Sequence, residues 1–178
     1  MLKMNALPGV PRWAVLAAHA VPLVTLPSGL WRIALVAGLP VAPPDGDMSL
    51  GEALYVLSLT GISEGLALLT LGLVRPWGET VPRWIPLLGG RRVRPLAAVV
   101  PALLGATALT GLAVWFFCAP FVKPDQPIWQ GTPAQDALLA ACYSPLLAWP
   151  PLLTAVTLAY YRRRTGRQAA GDRALARA

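Results

Sequence analysis

The 178-residue chain has little charge, one histidine and two cysteines. Charged residues make up 13% of it and hydrophobic residues 56%. Typical soluble domains are about 25% charged, so the composition argues against a soluble domain, and its apolar content excludes a disordered chain. The sequence also lacks the Walker, HExxH, GxSxG and CxxC patterns of common enzyme classes. We therefore expect no enzyme activity, no metal site and no cofactor.

Long apolar segments dominate the chain instead. The charge-free runs 95–122 and 137–161 each exceed the roughly 20 residues that a helix needs to cross a bilayer. Two further apolar segments contain only isolated ionisable residues. The sequence thus predicts an all-α membrane protein with four transmembrane helices in a kinked bundle. The predicted spans, within a single membrane domain 13–161, are 13–39, 50–74, 96–118 and 134–161.

Basic residues mark one side of this predicted membrane. Of the 15 Lys and Arg, two lie in the N-terminal segment 1–12, five in the loop 75–95 and six in the tail 162–178. Cytoplasmic loops next to membrane spans are enriched in Lys and Arg, so both termini are predicted to be cytoplasmic. We expect the basic tail to be disordered. The first span is expected to stay uncleaved, because its apolar stretch continues well past His19.

Short-range signals predict where helices begin and bend. Ser49 with Glu52, and Thr132 with Gln135, match the capping-box pattern, in which a side chain at the helix start satisfies a free backbone N–H. Prolines within spans predict bends, which membranes tolerate when neighbouring groups satisfy the freed carbonyls. In the first and fourth spans these prolines are Pro22, Pro27, Pro145, Pro150 and Pro151.

The small residues of the second span and the two cysteines each allow two interpretations of how the chain packs. Gly61 and Gly65 form a GxxxG pattern on a stripe of small residues, which allows helices to approach closely in lipid. We favour packing within the chain, with packing between two copies as the alternative. Cys118 and Cys142 are expected to be unpaired thiols, with a disulfide on the oxidising side as the alternative.

Away from the ends of the predicted spans, the acidic and basic side chains within them are His19, Arg32 and Glu64. A charge at the membrane centre costs about 2.5–3.5 kcal/mol on insertion scales, so such residues are functional candidates. Glu64 is predicted near mid-depth, and both cations lie within roughly one to two helical turns of its level. The first interpretation is a structural bond from Glu64 to either cation, and the second is a proton relay, ion relay or ligand site. In the third, Arg32 extends to the headgroups and Glu64 stays protonated.

The loop 75–95 alternates arginine with large apolar residues and is broken by proline. Trp favours the membrane interface, and Arg binds anionic lipid phosphates, so we predict that this loop lies at the cytoplasmic face. Its predicted contacts with lipid headgroups or a partner protein are Trp77, Arg83, Trp84, Arg91, Arg92 and Arg94. The expected partners are the lipid bilayer and either another membrane protein or a second copy, and no nucleic acid.

The segments 69–84 (LTLGLVRPWGETVPRW) and 89–93 (GGRRV) resemble a group of uncharacterised small four-helix integral membrane proteins of high-GC bacteria. The resemblance extends more loosely to Trp31 and Arg32. It implies a multi-pass protein of the bacterial inner membrane and transfers no catalytic residue. We expect a non-enzymatic binding or accessory membrane component. The alternative is a small transporter or channel that uses Glu64 with Arg32 or His19. An enzyme acting on lipid is disfavoured, because the sequence lacks the cluster of membrane-edge aspartates that phosphatidyl-transfer enzymes need.

Overall fold

The computed structural model describes residues 9–43, 48–79, 90, 93–122 and 131–175. These residues form helices and no strand, as the sequence predicts. The five α-helices are α1 (Arg12–Val36), α2 (Leu50–Leu69), α3 (Pro95–Val122), α4 (Pro133–Tyr143) and α5 (Trp149–Leu175). Short 3-10 segments cover Thr70–Leu73, Pro76–Gly78 and Ser144–Ala148.

Four helical segments of the described chain are long and apolar enough to cross a membrane. They are Arg12–Val36, Leu50–Leu73, Pro95–Phe116 and Pro133–Gly166. The predicted spans agree with these segments to within a few residues at most ends. Such helices are consistent with a multi-pass membrane protein.

Proline has different effects in the first and fourth spans. The fourth span consists of α4, the 3-10 segment Ser144–Ala148 and α5. Pro145 lies within that segment, and its missing N–H removes a helical hydrogen bond. The α-helical pattern is therefore interrupted there. By contrast, α1 stays α-helical through Pro22 and Pro27.

Both predicted capping boxes are present. In α2, Ser49 Oγ accepts from the Glu52 N–H at 3.3 Å, and the Ser49 N–H donates to Glu52 Oε2 at 2.9 Å. The same two bonds join Thr132 and Gln135 at the start of α4. Gln135 Nε2 also donates to the Ala42 carbonyl at 2.9 Å, which ties the start of α4 to the segment after α1.

The spans form an open row rather than a closed bundle. The central helix α1 packs against α2 on one side and against α4 and α5 on the other, and α3 packs on α5. Within the described part of the chain, no substantial contact joins α2 to α3. Accordingly, α1 is the most buried span and α3 the least. The outer faces of α2 and α3 expose large apolar side chains, among them Leu54, Ile62, Leu66, Leu104, Leu112 and Trp115.

The predicted packing of Gly61 and Gly65 within the chain is wrong for the described residues. Both glycines are exposed, and a Cβ built at either one would meet nothing within 4 Å. The residues of α2 that are buried in the described chain are instead Thr60 and Ala67. These two positions lie on another side of the helix, so the GxxxG face is uncovered.

The structure also describes the two cysteines and most of the C-terminal tail. Cys118 and Cys142 are free thiols, as expected. The backbone of α5 continues as a helix through Leu175. The structure thus describes residues 162–175 of this tail as helical, and the disorder of the tail stays a prediction.

Candidate functional site

Glu64 lies between α2 and α1, where it contacts a hydroxyl and no basic side chain. Its Oε2 accepts a hydrogen bond from Thr25 Oγ1 at 2.9 Å. Thr60, Glu64 and Ala67 follow one another at intervals of four and three residues, which places them on one face of α2. This face is turned toward α1 because Thr60 and Ala67 are its buried residues. Among the described residues, no ion pair or hydrogen bond joins Glu64 to His19 or Arg32.

A glycine on α1 provides space for the carboxyl group. A Cβ built at Gly29 would lie 3.3 Å from Glu64 Oε1 and 3.3 Å from Thr60 Cγ2. That spacing is tighter than most contacts of a real Cβ, so a side chain at Gly29 would press on Glu64. Glu64 Oε1 is itself buried and accepts no hydrogen bond from the described part of the chain. The two carboxyl oxygens therefore have unequal surroundings.

Hydroxyl protons near this carboxyl are largely committed elsewhere. Thr60 Oγ1 donates to a backbone carbonyl of α2 at 2.9 Å, and Ser28 Oγ donates to the Thr25 carbonyl at 2.8 Å. Thr25 Oγ1 has one proton and two acceptors within reach, Glu64 Oε2 at 2.9 Å and the Pro22 carbonyl at 3.0 Å. A hydroxyl donates to one acceptor at a time. The site consequently holds more acceptor oxygens than protons to satisfy them.

His19 contacts Arg75 and not Glu64. Its Nε2 lies 3.2 Å from Arg75 Nη2, and its Nδ1 lies 2.7 Å from the Val15 carbonyl oxygen. A guanidinium group only donates hydrogen bonds, so Nε2 is the acceptor and Nδ1 carries the proton that is donated to Val15. The imidazole thereby joins α1 to the chain that follows α2.

Arg32 is directed toward α4. Its guanidinium carbon lies 5.4 Å from the centroid of the Tyr143 ring, within the range of a cation–π interaction. Trp31 meets the same ring edge-on, with centroids 5.5 Å apart. The three predicted intramembrane residues therefore have three separate partners. The predicted pairing of Glu64 with Arg32 or His19 is wrong because α1 presents these side chains to other elements.

A second polar group, which the sequence reasoning missed, lies where α2 ends. Glu79 Oε1 pairs with Arg163 Nη2 at 2.9 Å, and Glu79 Oε2 lies 3.5 Å from Arg164 Nη1. The three side chains are only 7–17% exposed. Both guanidinium groups lie near the ring of Tyr160, at 5.7 and 6.0 Å. We call these four residues the Glu79 cluster.

Two glycines allow the chain to reach this cluster. A Cβ at Gly78 would overlap the Gly72 carbonyl oxygen, and a Cβ at Gly72 would lie 2.6 Å from the Trp77 ring. Pro76 begins the 3-10 turn that contains Trp77 and Gly78. The segment therefore folds back on itself and delivers Glu79 to α5.

Backbone hydrogen bonds complete the connection. The Val93 N–H donates to the Glu79 carbonyl at 2.9 Å, and Arg164 Nη2 donates to the Val93 carbonyl at 2.8 Å. Arg163 Nη2 donates to the Leu73 carbonyl at 3.4 Å. The Glu79 cluster thus joins the end of α2 and the chain that leads into α3 to α5. One sequence signal could have revealed it, since Glu79 is the only acidic residue between 65 and 124.

The predicted lipid or partner contacts are only partly visible. Trp77 is 38% exposed and packs on Gly72, and Arg94 is exposed. Arg83, Trp84, Arg91 and Arg92 lie outside the described residues. Contact of this loop with lipid headgroups or with a partner stays a prediction.

No protein-family model, curated protein or solved structure matches the chain. The residues that the structure describes contain no group of three His, Cys, Asp or Glu side chains that could hold a metal ion.

Proposed function

We propose that the protein is a non-enzymatic accessory component of a bacterial cytoplasmic membrane that binds another membrane helix through α2. Both termini face the cytoplasm in this proposal. The distribution of charge supports this orientation, because the positive-inside rule places arginines next to spans on the cytoplasmic side. Arginines lie where α1 begins, where α2 ends, where α3 begins and within α5 at the same end, namely Arg12, Arg75, Arg94, Arg162, Arg163 and Arg164.

The uncovered face of α2 is the observation that carries this function. Gly61 and Gly65 are exposed, and among the described residues nothing beyond the local helix backbone lies within 4 Å of a Cβ built at either. Small residues allow two helix backbones to approach closely in lipid, where van der Waals contact replaces the hydrophobic drive. Because α2 stands at one edge of the row, a helix of another protein or of a second copy has open access to this face.

Purification of variants in mild detergent, after chemical crosslinking in membranes, tests the proposal. We expect the wild-type chain to bring down a stoichiometric membrane partner or a second copy, and Gly61→Leu with Gly65→Leu to lose it. Gly111→Leu on α3 is the matched control, because Gly111 is also exposed with open space around it. Recovery of the same complex with the double variant would contradict the proposal, as would a wild-type chain that purifies without a partner or second copy.

A second candidate function is a small transporter or channel, and the buried Glu64 Oε1 with no hydrogen-bond donor favours it. Thr25 takes the place of Arg32 and His19 as the direct neighbour of the carboxyl group. Flux driven by a pH gradient in reconstituted vesicles tests this function. A pH-dependent flux that Glu64→Gln leaves unchanged would exclude Glu64 as the coupling residue.

A further inference from the structure

We propose that Glu64 and Thr25 form a binding site for an alkali-metal cation between α1 and α2. This inference goes beyond the accessory function, since the site requires neither a protein partner nor transport across the membrane. It concerns the side of α2 that faces α1, whereas the proposed partner surface is the uncovered face with Gly61 and Gly65.

Glu64 has no compensating charge among the described side chains. A carboxylate away from water needs an opposite charge or several hydrogen-bond donors. Glu64 receives one donor, from Thr25, and its buried Oε1 receives none. The basic side chains that the sequence places nearest by depth are engaged elsewhere, His19 with Arg75 and Arg32 with Tyr143. A bound cation would supply the charge that the described side chains do not provide.

The ligand atoms of this site favour a hard, monovalent cation. All the polar side-chain atoms brought together here are oxygens, which are hard ligands. Transition metals favour nitrogen and sulfur ligands, and Ca²⁺ is usually bound by six to eight oxygens that include several carboxylates. Glu64 is the one carboxylate of this site among the described residues, and its single charge matches a monovalent cation.

The Thr25 hydroxyl can present either its proton or a lone pair to the site. Thr25 Oγ1 can donate either to Glu64 Oε2 at 2.9 Å or to the Pro22 carbonyl at 3.0 Å. When a cation binds, the hydroxyl proton turns to Pro22, and a lone pair of Oγ1 faces the cation beside the carboxylate. Thr25 is 1% exposed, so water does not replace its hydroxyl. Serine preserves this arrangement and valine removes it.

Equilibrium binding of radioactive sodium and rubidium to the full chain in lipid nanodiscs tests the site, with rubidium as the probe for potassium. We expect saturable binding of one cation per chain, lost in Glu64→Gln and weakened roughly tenfold or more in Thr25→Val. Glu52→Gln should bind like wild type, and Thr25→Ser should retain saturable binding because serine keeps the hydroxyl. Glu52 is the control carboxyl because it caps α2 in an exposed position, where glutamine also suits a capping box.

Two results would overturn the proposal. The first is the absence of saturable binding of either ion, and the second is equal binding by Glu64→Gln. If Glu64→Gln does not purify as a monodisperse protein, Thr25→Val compared with Thr25→Ser decides, and equal affinity of the two overturns it. Because cation occupancy is measured without flux or a partner, this result is separate from the outcome of the tests of function.

Discussion

Glu79 and Glu64 are carboxylates of the same chain with opposite surroundings. Glu79 lies at the end of the helices where arginines are concentrated, and it pairs with Arg163 and Arg164. Glu64 lies between α1 and α2 with one threonine hydroxyl and a buried oxygen that has no donor. The comparison teaches that the described chain neutralises Glu79 with its own cations and places no basic side chain beside Glu64. We infer a structural role for Glu79 and a binding role for Glu64.

The elements that each acid joins support this division. The Glu79 cluster connects the end of α2, the start of α3 and α5 through side-chain and backbone bonds. Glu64 forms its hydrogen bond with α1, at a point where Gly29 leaves it space. Loss of the Glu79 side chain should therefore weaken the packing of the whole row of helices, whereas loss of the Glu64 side chain should affect only the contact between α1 and α2.

The largest expected effect is that of Glu79→Ala. Removing one partner from a buried ionic group leaves charge without compensation and costs about 3–5 kcal/mol. We expect a loss of that order in the free energy of unfolding, measured by denaturant titration of the purified protein in detergent. Glu52→Gln, at the exposed start of α2, should change stability little. A change in Glu79→Ala of less than about 1 kcal/mol would show that the cluster does not hold the helices together.

A smaller loss is expected from Gly78→Ala. The added Cβ would overlap the Gly72 carbonyl oxygen, which is backbone and cannot rotate away. Overpacking of this kind typically costs about 1–3 kcal/mol. The same measurement on Gly61→Ala is the control, because a Cβ there meets nothing within 4 Å. Equal stability of the two variants would mean that the fold of residues 70–79 does not depend on this close approach.

The smallest expected effects are the stability changes of two glycine substitutions, Gly65→Ala on the open face of α2 and Gly29→Ala on α1 where it faces Glu64. Replacing a helical glycine by alanine gains about 1 kcal/mol of helix propensity. Gly65→Ala should show a gain of up to that size in unfolding free energy, since its surroundings are open. Gly29→Ala should show no gain, because the Cβ would press on Glu64 and Thr60 at 3.3 Å. A clear stabilisation by Gly29→Ala would contradict the close contact between α1 and Glu64.

The spans and their starts could be predicted because they depend on local properties of the sequence. Apolar run length gave the four helices, and the capping boxes at Ser49 and Thr132 use residues three positions apart. The depth of Glu64 along α2 also follows from counting residues. Each of these inferences needs only one segment of the chain at a time.

The partners of the polar residues could not be predicted because they depend on the rotation and order of the helices. Counting residues placed Arg32 within reach of Glu64, yet Arg32 faces Tyr143 on α4. The basic neighbours of Arg163 and Arg164 predict a cytoplasmic tail that contains both residues. Helix α5 continues through them and brings them to Glu79. Hydropathy carries no information on which helix stands next to which, and that order decides every one of these contacts.

Infrared difference spectroscopy on addition of sodium or potassium is the most direct test of the contrast between Glu64 and Glu79. At least one of the two ions should perturb the stretching band of one carboxylate in the wild-type protein and in Glu52→Gln, and this signal should vanish in Glu64→Gln. The absence of a carboxylate signal with both ions, or a signal that persists unchanged in Glu64→Gln, would contradict the account.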